Sequence, residues 1–539
     1  MIDVFGAAAD GQPLEADLCI VGAGAAGLAL ATQFLNTPVR VIVLESGLSG
    51  PDVVSADLNT LESVGLRHDG GREGRIRSFG GTTLAWGGQL LPLRASELAE
   101  RPWVPHSGWP LALAELQPYY RRVEAMLATD GPPYDEGVWV RLGMIPPALD
   151  SREYCVRFSQ WAALGRRNFA LRWRRDIARS VNLRVLLDAT AVGVRATPAG
   201  DHCEGIEIRS RSGRAALVRA RAFVVACGGI EAARLLLASP NREGNGVANR
   251  SGLVGRFFQD HVSYFAGEVH TSARRAVQHW FDPRYMGGTL FSVKMEPTDE
   301  VMRREAWLNV MGHIAFQVPE ALGWLELRRI MRSMQAGRLE LPSFAEGLAM
   351  ARGSVELTRL VLGRWLSKRR RSPGTARILL MVDVEQAPNP ESRVSLDTTT
   401  DALGMRRARL EWRMTDLERR TLVGFARKLA GELERLGVGR IRLAPEPDFD
   451  TRDTLGSARD IFHHMGTTRM SSSPRTGVVR PDLRCHEIAN LYIAGPSVFP
   501  ASGIANPTFT ALALCLRLAE HLKIVLSDAV GETARRVSR

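Results

Sequence analysis

The apolar positions of the chain follow two rhythms. Leu18-Cys19-Ile20-Val21 is an unbroken apolar run, and Val41 to Leu44 is a second that ends at Glu45. Runs of this length fit strands buried on both faces of a sheet. Between them stand Gly22, Gly24 and Gly27, followed by a helical stretch from Leu28 to Phe34. "VNLRVLLDATAVGVRA" (181–196) and "ALVRARAFVVACGG" (216–229) predict further strands, and "ARILLMVDVEQAPNPESRVSLD" (376–397) predicts strands around a Pro-Asn-Pro turn. Other stretches carry the helical period. In "RRNFALRWRRDIAR" (166–179), Phe169, Trp173 and Ile177 recur every four residues with arginines on the other side. "WLELRRIMRSM" (324–334) places Trp324, Leu327, Ile330, Met331 and Met334 on one face and Arg328, Arg329 and Arg332 largely opposite. "SVELTRLVLGRWLSKRRRSP" (354–373) predicts an apolar-faced helix ending in Lys368-Arg369-Arg370-Arg371. The last helix opens at Asn506-Pro507, an order that suits an N-cap followed by a proline at the first helical position. Strands alternating with helices indicate an α/β protein.

The first strand, its glycines and the second strand carry the clearest chemistry. Gly22, Gly24 and Gly27 match G-x-G-x-x-G, which permits a tight turn, close approach to a pyrophosphate and close helix packing. Glu45 lies where such units place the acid for a ribose hydroxyl, and its charge would repel a 2′-phosphate. A dinucleotide is therefore expected, NADP is disfavoured, and NAD and FAD both fit the motif. "RSFGGTTLAWGGQLLPL" (77–93) adds glycine pairs at Gly80-Gly81 and Gly87-Gly88. A nicotinamide-binding unit has no evident use for that loop. A flavin, whose ring end must also be wrapped, does.

Composition narrows the class without naming the reaction. At 539 residues, 45% hydrophobic and 24% charged, the chain is expected to form two folded units. The net charge of +12 raises nucleic acid as a partner. However, Lys294, Lys368, Lys428 and Lys523 are the only lysines, and no zinc-finger, helix-turn-helix or RNP pattern accompanies the arginines. No nucleic-acid partner is therefore expected. The start of the chain lacks a basic segment followed by an apolar one, and no stretch of about 18 apolar residues occurs. Cys19, Cys155, Cys203, Cys227, Cys485 and Cys515 are scattered without a C-x-x-C pair, which suits reduced thiols and no metal site. These features give the expectation of a cytoplasmic protein. The basic helices of 324–372 add a second reading, peripheral contact with an anionic membrane, beside the simpler one of helices packed on the protein.

These stretches together resemble the glucose–methanol–choline (GMC) oxidoreductase family. The resemblance runs in order through the Gly22-Gly24-Gly27 turn, "GGTTLAWGG", "WPLALAELQPYY" (109–120), "AFVVACGGIEAARLLLAS" (222–239) and "LVGRFFQDH" (253–261). It closes with "HHMGTTRM" (463–470), "GVVRPDLRCHEIANLYIAGPSVFP" (477–500) and "GIANPTFTALAL" (503–514), whose wording is closest to the sugar- and polyol-oxidising branch near pyranose oxidase and fructose dehydrogenase. The resemblance implies a Rossmann-like FAD-binding domain assembled from residues 1–100, 180–260 and 455–539. An interleaved substrate domain on an antiparallel sheet would take 101–179 and 261–454. It implies cofactor contacts at Gly81, Thr82, Ala85, Trp86, Val192, Gly495, Pro496, Asn506, Pro507 and Thr508, besides the glycines and Glu45. Some relatives link the flavin to a histidine at the position of Ala85, so non-covalent FAD is expected here.

Flavin-dependent oxidation of an alcohol needs a base for the hydroxyl proton, and a neutral imidazole suits that task. The resemblance places the base at His463 and its partner at Asn506, and leaves His464 at a variable position. The reaction so implied is oxidation of a CH–OH group of a sugar, glycoside or sugar-like product. The same chemistry on a sterol or polyketide, and a lyase that holds FAD without redox turnover, stand as alternatives. Oxygen, a quinone and a partner protein all remain as electron acceptors.

Overall fold

The computed structural model describes residues 1–5, 14–318, 324–337, 342–344, 347–348, 368–452 and 454–537. Most of the predicted "SVELTRLVLGRWLSKRRRSP" helix lies outside the described residues.

Two large sheets organise the chain. The first has eight strands in the order Ile2–Val4, Leu183–Leu187, Val41–Leu44, Leu14–Val21, Ala215–Val225, Cys203–Arg209 and Thr190–Ala196, with Leu491–Ile493 also paired to Ala215–Val225. Its core is parallel: Leu18 to Val21 pair in register with Val41 to Leu44 on one side and Ala222 to Val225 on the other. Leu18, Cys19 and Ile20 are completely buried, as the unbroken apolar run requires. The 190–209 hairpin joins this core antiparallel. Helix Ala25–Ala31 follows the first long strand. Two of its glycines are sterically obligatory. Gly22 sits at φ 105° with Ala226 O only 2.7 Å from where a Cβ would stand, and a Cβ on Gly27 would meet Gly22 O at 1.8 Å.

The second sheet is antiparallel throughout. Its order is Arg440–Leu443, Val262–His270, Arg377–Val384, Val310–Gln317, Thr289–Pro297, Tyr154–Trp161 and Gln89–Leu90, with Arg284–Met286 and Ala458–Asp460 paired alongside. Gln89–Leu90 and Ala458–Asp460 fall within the stretches expected to bind dinucleotide, yet they pair here. The two strands around the Pro-Asn-Pro turn do not pair with each other. Arg393–Thr400 instead joins Arg406–Glu411 and Leu61–Ser63 in a small third sheet.

Helix Phe169–Arg179 buries Phe169, Trp173 and Ile177 as its period predicts. Helix Trp324–Gln335 departs from its pattern: Met331 and Met334 are exposed, while Ser333 and Gln335 are buried. Gln335 explains the inversion. Its side-chain amide donates to Thr83 O and Trp86 O (3.2 and 3.0 Å), and its own carbonyl accepts from Asn168 (2.6 Å), so polar docking sets the buried face. At the foot of the neighbouring segment, Arg369 pairs with Asp282 at 2.9 Å and is not freely solvated. Among the described residues no helix is long and apolar enough to cross a membrane, and all six cysteines are free.

Candidate active site

A long cleft starts where the first parallel strands end. Gly22, Gly24, Glu45, Thr190 and Ala191 line it at one end; Gly81, Thr82, Gly495, Pro496, Pro507 and Thr508 line it further along; His463 and His464 also line it. Gly27 lies beneath the turn. Gly24, Gly228 and Gly495 present bare backbone to this space: a Cβ on Gly228 would meet nothing within 4 Å, and on the other two nothing nearer than 3.7 Å. That is a cradle shaped for a large ligand. Glu45 is buried, and burial pushes its carboxyl up against the opposing pull of hydrogen bonds from Gly47 N–H and Ala23 N–H (2.9 and 3.0 Å). A ribose hydroxyl donated to this carboxylate would favour its charged form. Helix Pro507–Val537 points its N-terminus at the cleft through Pro507 and Thr508, which favours negative charge there.

Four expected cofactor residues lie elsewhere, Asn506 among them, which lines the second cavity described below. Val192 occupies a bulge where the strand register shifts between Ala191 and Gly193, so Thr190 and Ala191 reach the cleft in its place. Trp86 turns its indole N–H to Arg167 O (2.9 Å) and sets its ring edge-on to Phe169, away from the cleft. Ala85 is exposed beside it and does not line the cleft.

His463 lines a second cavity as well, of about 350 Å³, together with Asn506 and His261. The second cavity rests on one face of the antiparallel sheet. Ser292 and Lys294, His313, Asp383 and Ser263 project from four strands into it, and Trp161 and Gln89 close one side. Lys294 is 5% exposed and, among the described residues, has no hydrogen bond or ion pair. Burial opposes ionisation of Asp383, but His313 and Lys294 outweigh it and hold the carboxyl below its usual range. Burial, with Lys294 assisting, pulls the His313 imidazole down to about 4.

The imidazole of His463 is fixed from both sides. Nδ1 lies 2.9 Å from Nδ1 of His261, and Nε2 lies 3.3 Å from the Asn506 side-chain amide nitrogen. His261 Nε2 lies 2.7 Å from Gly503 O. A carbonyl oxygen only accepts, so His261 carries its proton on Nε2 and, as a neutral ring, offers a lone pair at Nδ1. His463 must then donate from Nδ1, which leaves the lone pair of its Nε2 turned to Asn506 and the cavity. Asp260, buried completely, frames the pair: its Oδ1 accepts from the backbone N–H of both His261 and His463 (2.7 and 2.8 Å). Burial disfavours its charge, but the hydrogen bond and charge of His68 prevail and hold it down at about 2. Burial pulls the His463 imidazole down to about 4.

His261 and Asp260 carry no signal of this role in the sequence beyond their place in "FFQDH" (257–261). Their adjacency was visible; their meeting with a residue about two hundred positions later was not. His464 is less bland than expected. It is buried, lines the cofactor cleft, and its Nε2 has no partner. With His68 and Asp260 it brings three ligand-type atoms within 4.8 Å of one another. His68 already uses both ring nitrogens, accepting from Gly71 N–H (2.9 Å) and bonding Asp260 (3.0 Å), so the cluster is a hydrogen-bond hub. Asn506 also differs from expectation. Its Oδ1 is buried without a partner, so the side chain does not cap the helix that follows.

Comparison with known proteins agrees with this geometry. Residues 388–515 match the family model described as GMC oxidoreductase. Paromamine 6'-oxidase of Streptomyces fradiae is 27% identical, across 96% of this chain and 92% of that protein. The C-terminal part of the chain is a GMC oxidoreductase domain. The protein is an FAD-dependent oxidoreductase of CH–OH groups. The fructose dehydrogenase large subunit of Gluconobacter japonicus is 23% identical, over 95% of this chain and 98% of its own length. Among solved structures, formate oxidase superposes with a TM-score of 0.59 at 18% identity, covering 97% of this chain and 100% of that one. The cleft from Gly22 to Thr508, with its bare glycine backbone, fits an FAD.

Proposed function

We propose that this GMC oxidoreductase acts on a sugar, glycoside or sugar-like alcohol, with His463 as the base and Asn506 as its partner. One observation carries the reading: His463 lines both the cofactor cleft and the second cavity, so a single imidazole faces both ligands. The polar floor of that cavity favours a hydroxyl-rich substrate. Lys294 donates, Asp383 accepts, Ser263 and Ser292 do either, and Trp161 offers a ring for the C–H face of a sugar. Two relatives, a paromamine 6'-oxidase and a fructose dehydrogenase large subunit, agree in class.

In the reaction, bound FAD supplies the hydride acceptor. The Asn506 amide hydrogen-bonds the substrate oxygen and aims the O–H at His463 Nε2. That lone pair takes the proton. The resulting imidazolium keeps its Nδ1–H on His261, and the negative charge of Asp260 lies close by to favour it. Ala85 has no nucleophile, so the flavin is held without a covalent link and should leave on acid denaturation. Turnover of a panel of sugars, glycosides and non-sugar alcohols with an artificial acceptor dye tests the substrate class. Activity confined to apolar alcohols would reject it.

We propose further that the face of helix Trp324–Gln335 bearing Met331 and Met334, with exposed Phe344 nearby in sequence, rests on an anionic membrane. The protein should co-sediment with phosphatidylserine vesicles at low salt and not with neutral ones. Equal recovery in the supernatant with both would reject the contact.

A further inference from the structure

A third cavity, of about 1170 Å³, shares no lining residue with the cofactor cleft or the alcohol pocket. Its distinctive wall is Arg469, which follows His463 on the "HHMGTTRM" segment and is only 6% exposed. The guanidinium donates from Nη2 to His106 O (2.9 Å) and lies 4.3 Å from the ring centre of Phe257. Nε is buried without a partner. Among the described residues no carboxylate pairs with this side chain, and burial alone pulls its pKa down to about 10. Among the described residues the only acid lining the cavity is Glu100, which is exposed. Arg256 and Arg475 also line it; Arg256 is occupied by Glu391 at 2.9 Å, whereas Arg475 is exposed. A buried guanidinium without a counter-ion is costly, and it is retained where something else supplies the negative charge.

The neighbouring backbone points the same way. His106 and Phe257 hold φ of 60° and 61°, the left-handed region that non-glycine residues rarely adopt, and their rings meet edge-on at 5.3 Å. Such conformations persist only where surrounding contacts enforce them, and they concentrate at ligand sites. Trp109 completes the wall. Its indole N–H is fixed on Ala501 O (3.1 Å) and its ring packs on Phe499, which leaves it rigid. A rigid aromatic wall and a cation without a partner suit one kind of guest.

We propose that this cavity binds a small molecule carrying a carboxylate or phosphate on an apolar or aromatic body. The oxyanion meets Arg469 and the body lies against Trp109 and Phe257. Calorimetric titration of the FAD-loaded protein tests this with benzoate and phenyl phosphate as probes and benzamide as the uncharged control. The two anions separate a carboxylate site from a phosphate site. At least one anion should bind saturably, about tenfold or more tighter than benzamide. Arg469→Met should weaken that binding by about tenfold or more, and Arg475→Ala by only a few-fold. Because Arg469 also ties two loops together, hydrogen exchange on the unmodified holoenzyme gives a second reading. The bound anion should protect amides of 106–109 and 469–476. Unchanged affinity in Arg469→Met would overturn the proposal. So would loss of binding in Lys294→Met, or protection confined to the alcohol pocket, because the anion would then sit there.

Discussion

At the scale of single residues, the reactivity of His463 is set by which nitrogen bears the proton. That choice starts at Gly503 O and passes through His261. Removing the acceptor with His261→Ala frees the His463 Nδ1–H and lets the ring adopt the unreactive tautomer. We expect kcat to fall by about tenfold or more, the worth of one buried hydrogen bond, with FAD content unchanged. The pH profile should report more than the rate. A neutral His261 that accepts the Nδ1–H stabilises the His463 imidazolium, so its loss moves the acid limb of kcat to lower pH. A profile with an unmoved limb would mean that the two rings do not communicate.

At the scale of elements, the sequence showed where chemistry would gather more clearly than how strands would pair. The strand, glycine turn and strand ending at Glu45 were legible because burial on both faces leaves an unbroken apolar run and the turn tolerates no side chain at Gly22 or Gly27. Partners in space were not. The strands around Pro-Asn-Pro look like a hairpin, but each finds its mate elsewhere, since local pattern carries no information on distant pairing. Helix Trp324–Gln335 turns a different face inward from the one its period predicts, because one glutamine docking on two carbonyls outweighs a stripe of methionines. The start of helix Pro507–Val537 gives the same lesson. Asn-Pro reads as a cap, yet the amide serves the site. Asn506→Ala should therefore spare stability, shifting the unfolding midpoint less than the loss of a true cap worth about 1 kcal/mol, while lowering the rate of flavin reduction. Thermal unfolding and reduction kinetics on one sample separate the two effects.

At the scale of the whole molecule, the buried imidazoles link stability to pH. His463, His464 and His313 have folded pKa values lowered from 6.5 to about 4, 3 and 4, burial being the main cause in each. The unfolded chain binds protons that the folded one refuses, so stability is full above about pH 6.5 and falls as pH drops from there towards 4. Denaturant midpoints across that range should decline steadily, and a flat profile would show that these rings stay hydrated. The central claim is that His463 takes the substrate proton, and anaerobic reduction of bound flavin by alcohol, followed in single turnover, tests it most directly. In FAD-loaded His463→Ala the rate should fall on the order of 10²–10⁴-fold, and it should recover partly as pH rises and solvent can take the proton. Undiminished reduction in His463→Ala, with loss in His464→Ala at equal flavin content, would contradict the account and assign the base to the neighbouring histidine.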